Sequence, residues 1–124
     1  MPSRNYTDLI AWQKAMDLAR ATYTATSAFP SEERFGITAQ MRRAAVSIPA
    51  NIAEGEGRRT RGEFLNQLSI AHGSVRELET HLRIAITLAY LDGPSGESLL
   101  NQAAEVGKLV TGLTNFLKRE RQDE

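Results

Sequence analysis

The side chains with the most chemical potential in this sequence are arginines. Arg42 and Arg43 sit side by side, and Arg58, Arg59 and Arg61 follow within a third of the chain. From Arg34 to Arg61 there are six arginines against two acids, Glu54 and Glu56, so that segment carries +4 inside a chain of zero formal net charge. The remainder carries −4. A planar guanidinium makes bidentate contacts to phosphate, so the five clustered arginines are candidates for sequence-independent contact with RNA or DNA. The same residues suit ion pairs with Glu54, Glu56, Glu77 or Glu79, which is the blander reading. No aromatic platform accompanies them, which argues against stacking of single-stranded bases.

Other chemistry finds little support. The absence of cysteine excludes disulfides, thiolate metal sites and cysteine nucleophiles. Helical bundles that hold carboxylate-bridged metals use Glu-x-x-His, and neither histidine has that partner: Ser69 precedes His72 and Leu78 precedes His81. Glu77 and His81 share a helix face, but one half-site is more often a solvated pair. Ser47, Ser69 and Ser74 have no evident histidine partner. There is no P-loop, no dinucleotide fingerprint and no nucleophile elbow. Gly55-Glu56-Gly57 reads as a helix stop. The sequence therefore predicts no catalytic residue, no metal, no cofactor and no small-molecule substrate.

The elements that carry these residues read as four helices, over about 8–27, 38–55, 61–91 and 97–119. In the first, Leu9, Trp12, Met16, Ala19 and Tyr23 recur at spacings of 3, 4, 3 and 4, the expected inner stripe. Phe29-Pro30 ends it. The second has Ile37, Met41, Ala44, Ile48 and Ile52 inward, with Pro49 well inside. Proline removes a helical donor and crowds the carbonyl of Ala45, so a kink is expected there. Pro49, Asn51 and Glu54 are read as structural, with Ser47, the Asn51 amide or a nearby arginine serving the Ala45 carbonyl. Abundant small residues, Gly55 among them, allow a neighbouring helix to come close.

Thr60 and Glu63 form a capping box for the third helix. Its inner face is Phe64, Leu68, Ala71, Val75, Leu78, Leu82, Ala85 and Ala89. Asp92 to Gly96 reads as a turn, Ser95 or Ser98 as the cap of the fourth helix, and Leu99, Ala103, Val106, Val110, Leu113 and Leu117 as its core face. Residues 1–7 read as a disordered lead in which Asn5 or Thr7 caps the first helix, and residues 118–124 as a fraying tail. With short connections and no strand signal, the expectation is an all-α, antiparallel up-down-up-down four-helix bundle in a single domain, 1–124. A second set of apolar residues, Ile70, Ile84 and Leu91 on the third helix and Leu18 on the first, falls off these inner seams. It is the candidate oligomer interface, scattered surface hydrophobes being the alternative. Neither a signal peptide nor a membrane-spanning run is visible, so a cytoplasmic location is expected.

The run RRAAVSIPANIAEGEGR (Arg42–Arg58), preceded by FGITAQM, resembles the proteins encoded in intervening sequences of bacterial large-subunit ribosomal RNA genes, the four-helix bundle protein family. DLIAWQKAMDLA, FLNQLSIAHGSVRELET and the turn after LAYLDG agree with it, so the resemblance covers nearly the whole chain. It implies a left-handed antiparallel bundle and a ring-shaped homopentamer. The family is also similar to the accessory protein of diversity-generating retroelements, a pentamer that binds nucleic acid and a reverse transcriptase. No catalytic residues are implied. The functional expectation is a non-enzymatic, self-assembling scaffold or adaptor near ribosomal RNA. The alternative is a nucleic-acid-binding module that uses the arginine cluster.

Overall fold

The computed structural model describes residues 5–123, which hold four long helices and no strand. Asn5 caps a single 3-10 turn, Tyr6–Asp8, by accepting from the Thr7 N–H at 3.0 Å. Residues 1–4 of the expected lead, and Glu124 of the expected tail, lie outside the described residues. Helix α1 spans Ile10–Thr26, and a second 3-10 turn, Ser31–Glu33, leads into α2, Ile37–Glu56. Helices α3 and α4 are Arg61–Thr87 and Gly93–Asp123. Helix α2 packs most extensively on α3; α1 packs on α2 and α4, and α3 on α4.

Helix α1 is rotated from the expected stripe. Ala11, Ala15, Leu18, Thr22 and Thr26 face the core, while Met16 and Tyr23 are exposed and Trp12 and Ala19 are half-buried. Alanine and threonine are small enough for close packing, and the threonines bury no unmet donor. Thr22 Oγ1 donates to the Leu18 carbonyl and Thr26 Oγ1 to the Thr22 carbonyl, both at 2.8 Å.

Helix α2 buries Met41, Ala44, Ile48 and Ile52 as its spacing predicts, and runs unbroken through a buried Pro49. At Gly55 an added Cβ would lie 2.8 Å from Gln67 Cβ and 2.8 Å from Phe64 Cδ1, so α3 presses directly on this glycine. The turn beyond is closed by the expected capping box. The Glu63 N–H donates to Thr60 Oγ1 at 3.1 Å, and the Thr60 N–H to Glu63 Oε1 at 3.2 Å.

The end of α3 differs from expectation. It stops at Thr87, because Ala89 adopts a left-handed conformation with φ of 62°. The Tyr90 N–H then reaches back to the Ala85 carbonyl at 2.9 Å and the Ala89 N–H to the Ile86 carbonyl at 3.0 Å. That is the Schellman pattern, with alanine where glycine is usual. Ala89 is thus an exposed cap residue instead of a core position. What holds the turn is tertiary. Tyr90 packs on Phe29 with ring centroids 5.5 Å apart, its hydroxyl donates to Glu33 Oε2 at 2.9 Å, and Leu91 enters the core.

Helix α4 begins earlier than expected. Asp92 is its cap, with Oδ1 accepting from the Ser95 N–H at 2.7 Å, so Gly93–Gly96 form the first helical turn. Pro94 tolerates this position because the first turn has no use for its missing N–H. Leu99, Ala103, Val106, Val110 and Leu117 are core, and Leu113 packs against them. The helix continues to Asp123, past the expected end at 119.

Candidate functional site

The five clustered arginines are not equivalent. Arg42 is a structural strut from α2 to α1. Its Nε donates to Thr26 Oγ1 at 2.9 Å, and its guanidinium lies 4.5 Å from the Tyr23 ring centroid. Arg58, two residues past the end of α2, pairs back to Glu54 at 2.6 Å, and Arg61 reaches Glu120 of α4 at 3.9 Å. Arg43 and Arg59 are exposed and make no hydrogen bond or ion pair among the described residues. The cluster is therefore divided among two ties to other helices, one local pair and two unengaged cations.

The proposed apolar surface also divides. Leu18 is fully buried in the core and Leu91 is only 7% exposed, so both are covered within the single chain. Leu18 moved inward with the rotation of α1, and Leu91 left the helical register when α3 ended at Thr87. Ile70 and Ile84 remain 46% and 43% exposed on α3, and Leu88, one turn beyond Ile84, is 50% exposed. Leu88 was not singled out by sequence, since it sits in a stretch that reads as uniformly apolar.

Around Pro49 the polar groups connect α2 to α3. The Asn51 amide donates to the Ser47 carbonyl at 2.8 Å and to Ser47 Oγ at 2.9 Å, and Ser47 Oγ meets Ser74 Oγ at 2.8 Å. Of the three donors offered for the Ala45 carbonyl, the Asn51 amide is thus engaged elsewhere, with Ser47. Glu54 accepts from Gln67 Nε2 at 3.1 Å as well as from Arg58. All three positions act within or between these two helices.

Two contacts not read from the sequence are those of Glu33 with Tyr90 and of Asp92 with Ser95. Glu33 Oε1 accepts from the Ile37 N–H at 3.3 Å at the start of α2, while Oε2 holds the Tyr90 hydroxyl. That hydrogen bond to a carboxylate pushes the Tyr90 phenol above its ordinary range. The Ser95 backbone N–H holds the Asp92 carboxyl below the usual carboxylate range. An acid opposite a distant tyrosine gives no sequence signal, but Asp-x-x-Ser before a helix is a legible cap. His81 is buried with Nδ1 unpartnered, and its Nε2 is 3.8 Å from Glu77, too long for a hydrogen bond. Among the described residues no three His, Asp or Glu side chains gather as a metal site.

These features define a class: an all-helical bundle whose polar side chains tie helices together and, among the described residues, assemble no nucleophile–base constellation. The chain belongs to the 23S rRNA-intervening sequence protein family, whose model matches residues 7–112. It is similar to a crystal structure of a protein of unknown function from the S23 ribosomal protein family of Bacteroides thetaiotaomicron, at 28% identity and a TM-score of 0.77. The match covers 85% of this chain and 98% of that one. No curated protein matches the chain. No helix among the described residues is long and apolar enough to cross a membrane.

Proposed function

We propose that this chain is a non-enzymatic, self-assembling scaffold or adaptor. In this reading it is a single-domain, left-handed up-down-up-down bundle that forms a ring-shaped homo-oligomer, a pentamer by family resemblance, in the cytoplasm near ribosomal RNA. The observation that carries it is the half-exposed line of Ile70 and Ile84 on α3 and Leu88 at its C-cap, which the single chain leaves uncovered. Three large aliphatic side chains along one side of this element favour a protein partner, and a second copy is the commonest. Sedimentation velocity at micromolar concentration tests it. The wild type should sediment as a closed oligomer, and the Ile70→Glu/Ile84→Glu variant as a folded monomer with unchanged helicity. A monomeric wild type would overturn the reading.

A second reading, sequence-independent binding of nucleic acid, is favoured by the unengaged Arg43 and Arg59. Exposed ion pairs contribute roughly 0–1 kcal/mol, so Arg58 can exchange Glu54 for a phosphate at little cost. In a ring, repeated copies of the +4 segment would create a sizeable local field despite zero net charge. Binding measured across salt concentrations tests this reading, since phosphate contacts give a steep salt dependence.

A further inference from the structure

A groove runs between α3 and α4, on faces that neither the arginine cluster nor the line of Ile70 and Ile84 uses. Along α4, Lys108, Thr111, Asn115 and Lys118 recur at spacings of 3, 4 and 3 and line it. From α3, His72 and Arg76 face them. Two stretches of about 490 Å³ and 350 Å³ share His72, Thr111 and Asn115, so they form one continuous channel.

On the α4 side its charge and hydrogen-bonding capacity are unengaged among the described residues. Lys108 and Lys118 form no ion pair among the described residues. Arg76 and Glu79, the acid in this groove, neutralise each other at 2.8 Å. The net excess is therefore the two lysines. The side chains of Thr111 and Asn115 make no hydrogen bond among the described residues, although both are polar and at hand. Between the lysines Gly112 leaves α4 bare: a Cβ there would have nothing within 4 Å.

We infer that this groove takes the sugar–phosphate backbone of a nucleic acid. The inference borrows its partner class from the second reading above but assigns a different surface. A helix rises 1.5 Å per residue, so Lys108 to Lys118 spans roughly 15 Å. Measured along a B-form duplex axis, one strand presents a phosphate about every 3.4 Å, roughly four over that length. Cations at both ends with neutral donors between them suit an evenly repeating anion. A protein partner would instead need a protruding apolar or aromatic anchor, and the large apolar residues of the floor, Leu65, Leu68 and Val75, are held in or against the core. Lys, Thr and Asn are among the side chains that position a phosphate backbone without reading bases.

The test is fluorescence anisotropy of a labelled RNA duplex with the full chain over a salt series, with a DNA duplex as a second arm to tell which nucleic acid supplies the backbone. Lys108→Glu/Lys118→Glu should weaken binding by about tenfold or more and reduce the salt slope by about two, one per lost phosphate contact. Gly112→Leu plugs the groove without changing charge and should also weaken binding, while circular dichroism reports an intact helix. Arg43→Glu/Arg59→Glu should have the smaller effect. Unchanged affinity in the lysine variant, with loss in the arginine variant, would overturn the groove and leave the nucleic-acid reading standing. No binding by the wild type at low salt would overturn both. Displacement of the RNA by polyglutamate at equal charge would overturn the assignment of a nucleic acid as the partner.

Discussion

Gly55→Ala should destabilise the protein, although alanine is the better helix former. The added methyl would lie 2.8 Å from Gln67 Cβ and 2.8 Å from Phe64 Cδ1. Gln67 cannot swing aside freely, because its Nε2 is held by Glu54 at 3.1 Å and its Cβ moves only with the α3 backbone. The helices must separate where they pack most extensively. Overpacking of this kind costs about 1–3 kcal/mol. Removing a helical glycine returns about 0.5–1 kcal/mol. The expected net loss is about 0–2.5 kcal/mol, centred near 1 kcal/mol, which is a fall in Tm of roughly 4 °C for a domain of this size. Gly112→Ala is the control, since nothing lies within 4 Å of its Cβ. It should gain the propensity term alone, about 0.5–1 kcal/mol. Thermal unfolding of the three proteins at one matched concentration removes the contribution of assembly. If both alanines raise Tm alike, the close approach of α3 to Gly55 is refuted.

Three further outcomes follow from single residues. Ala89→Gly should raise stability by about 0.5–1 kcal/mol in denaturant titration, because glycine occupies a φ of 62° without the Cβ clash. Leu18→Ala should cost ~2–5 kcal/mol while leaving the sedimenting species of the folded protein unchanged, since Leu18 fills the core of one chain and not an interface. Asp92→Ala should lower Tm at neutral pH by removing the α4 cap, and the difference from wild type should shrink in acid. The folded carboxyl titrates below its unfolded value, so its contribution is present above the ordinary carboxylate range and is lost as pH falls through the folded pKa. A difference that stays constant down to strongly acidic pH would contradict the Ser95 contact.

What the sequence determined by itself is whatever depends on near neighbours. Periodic apolar residues specify four helices, the Thr60–Glu63 capping box starts α3, and the inner faces of α2 and α4 follow from their large aliphatic side chains. The motif around Pro49 was legible enough to place the chain in its family. Tertiary structure decided the rest, for a common reason. Along α1, apolar side chains fall on more than one face, so its rotation is chosen by which surface the neighbouring helices can approach; alanines and threonines go in, and Tyr23 stays out beneath Arg42. The end of α3 is set by Tyr90 and Leu91 finding Phe29, Glu33 and the core, contacts that outweigh the helical preference of Leu88 and Ala89. The arginines divide by what each can reach: Arg42 meets Thr26, Arg58 meets Glu54, and Arg43 meets no partner among the described residues. A guanidinium's charge is written in the sequence, but whether it is already neutralised depends on distances of a few ångströms that only packing sets.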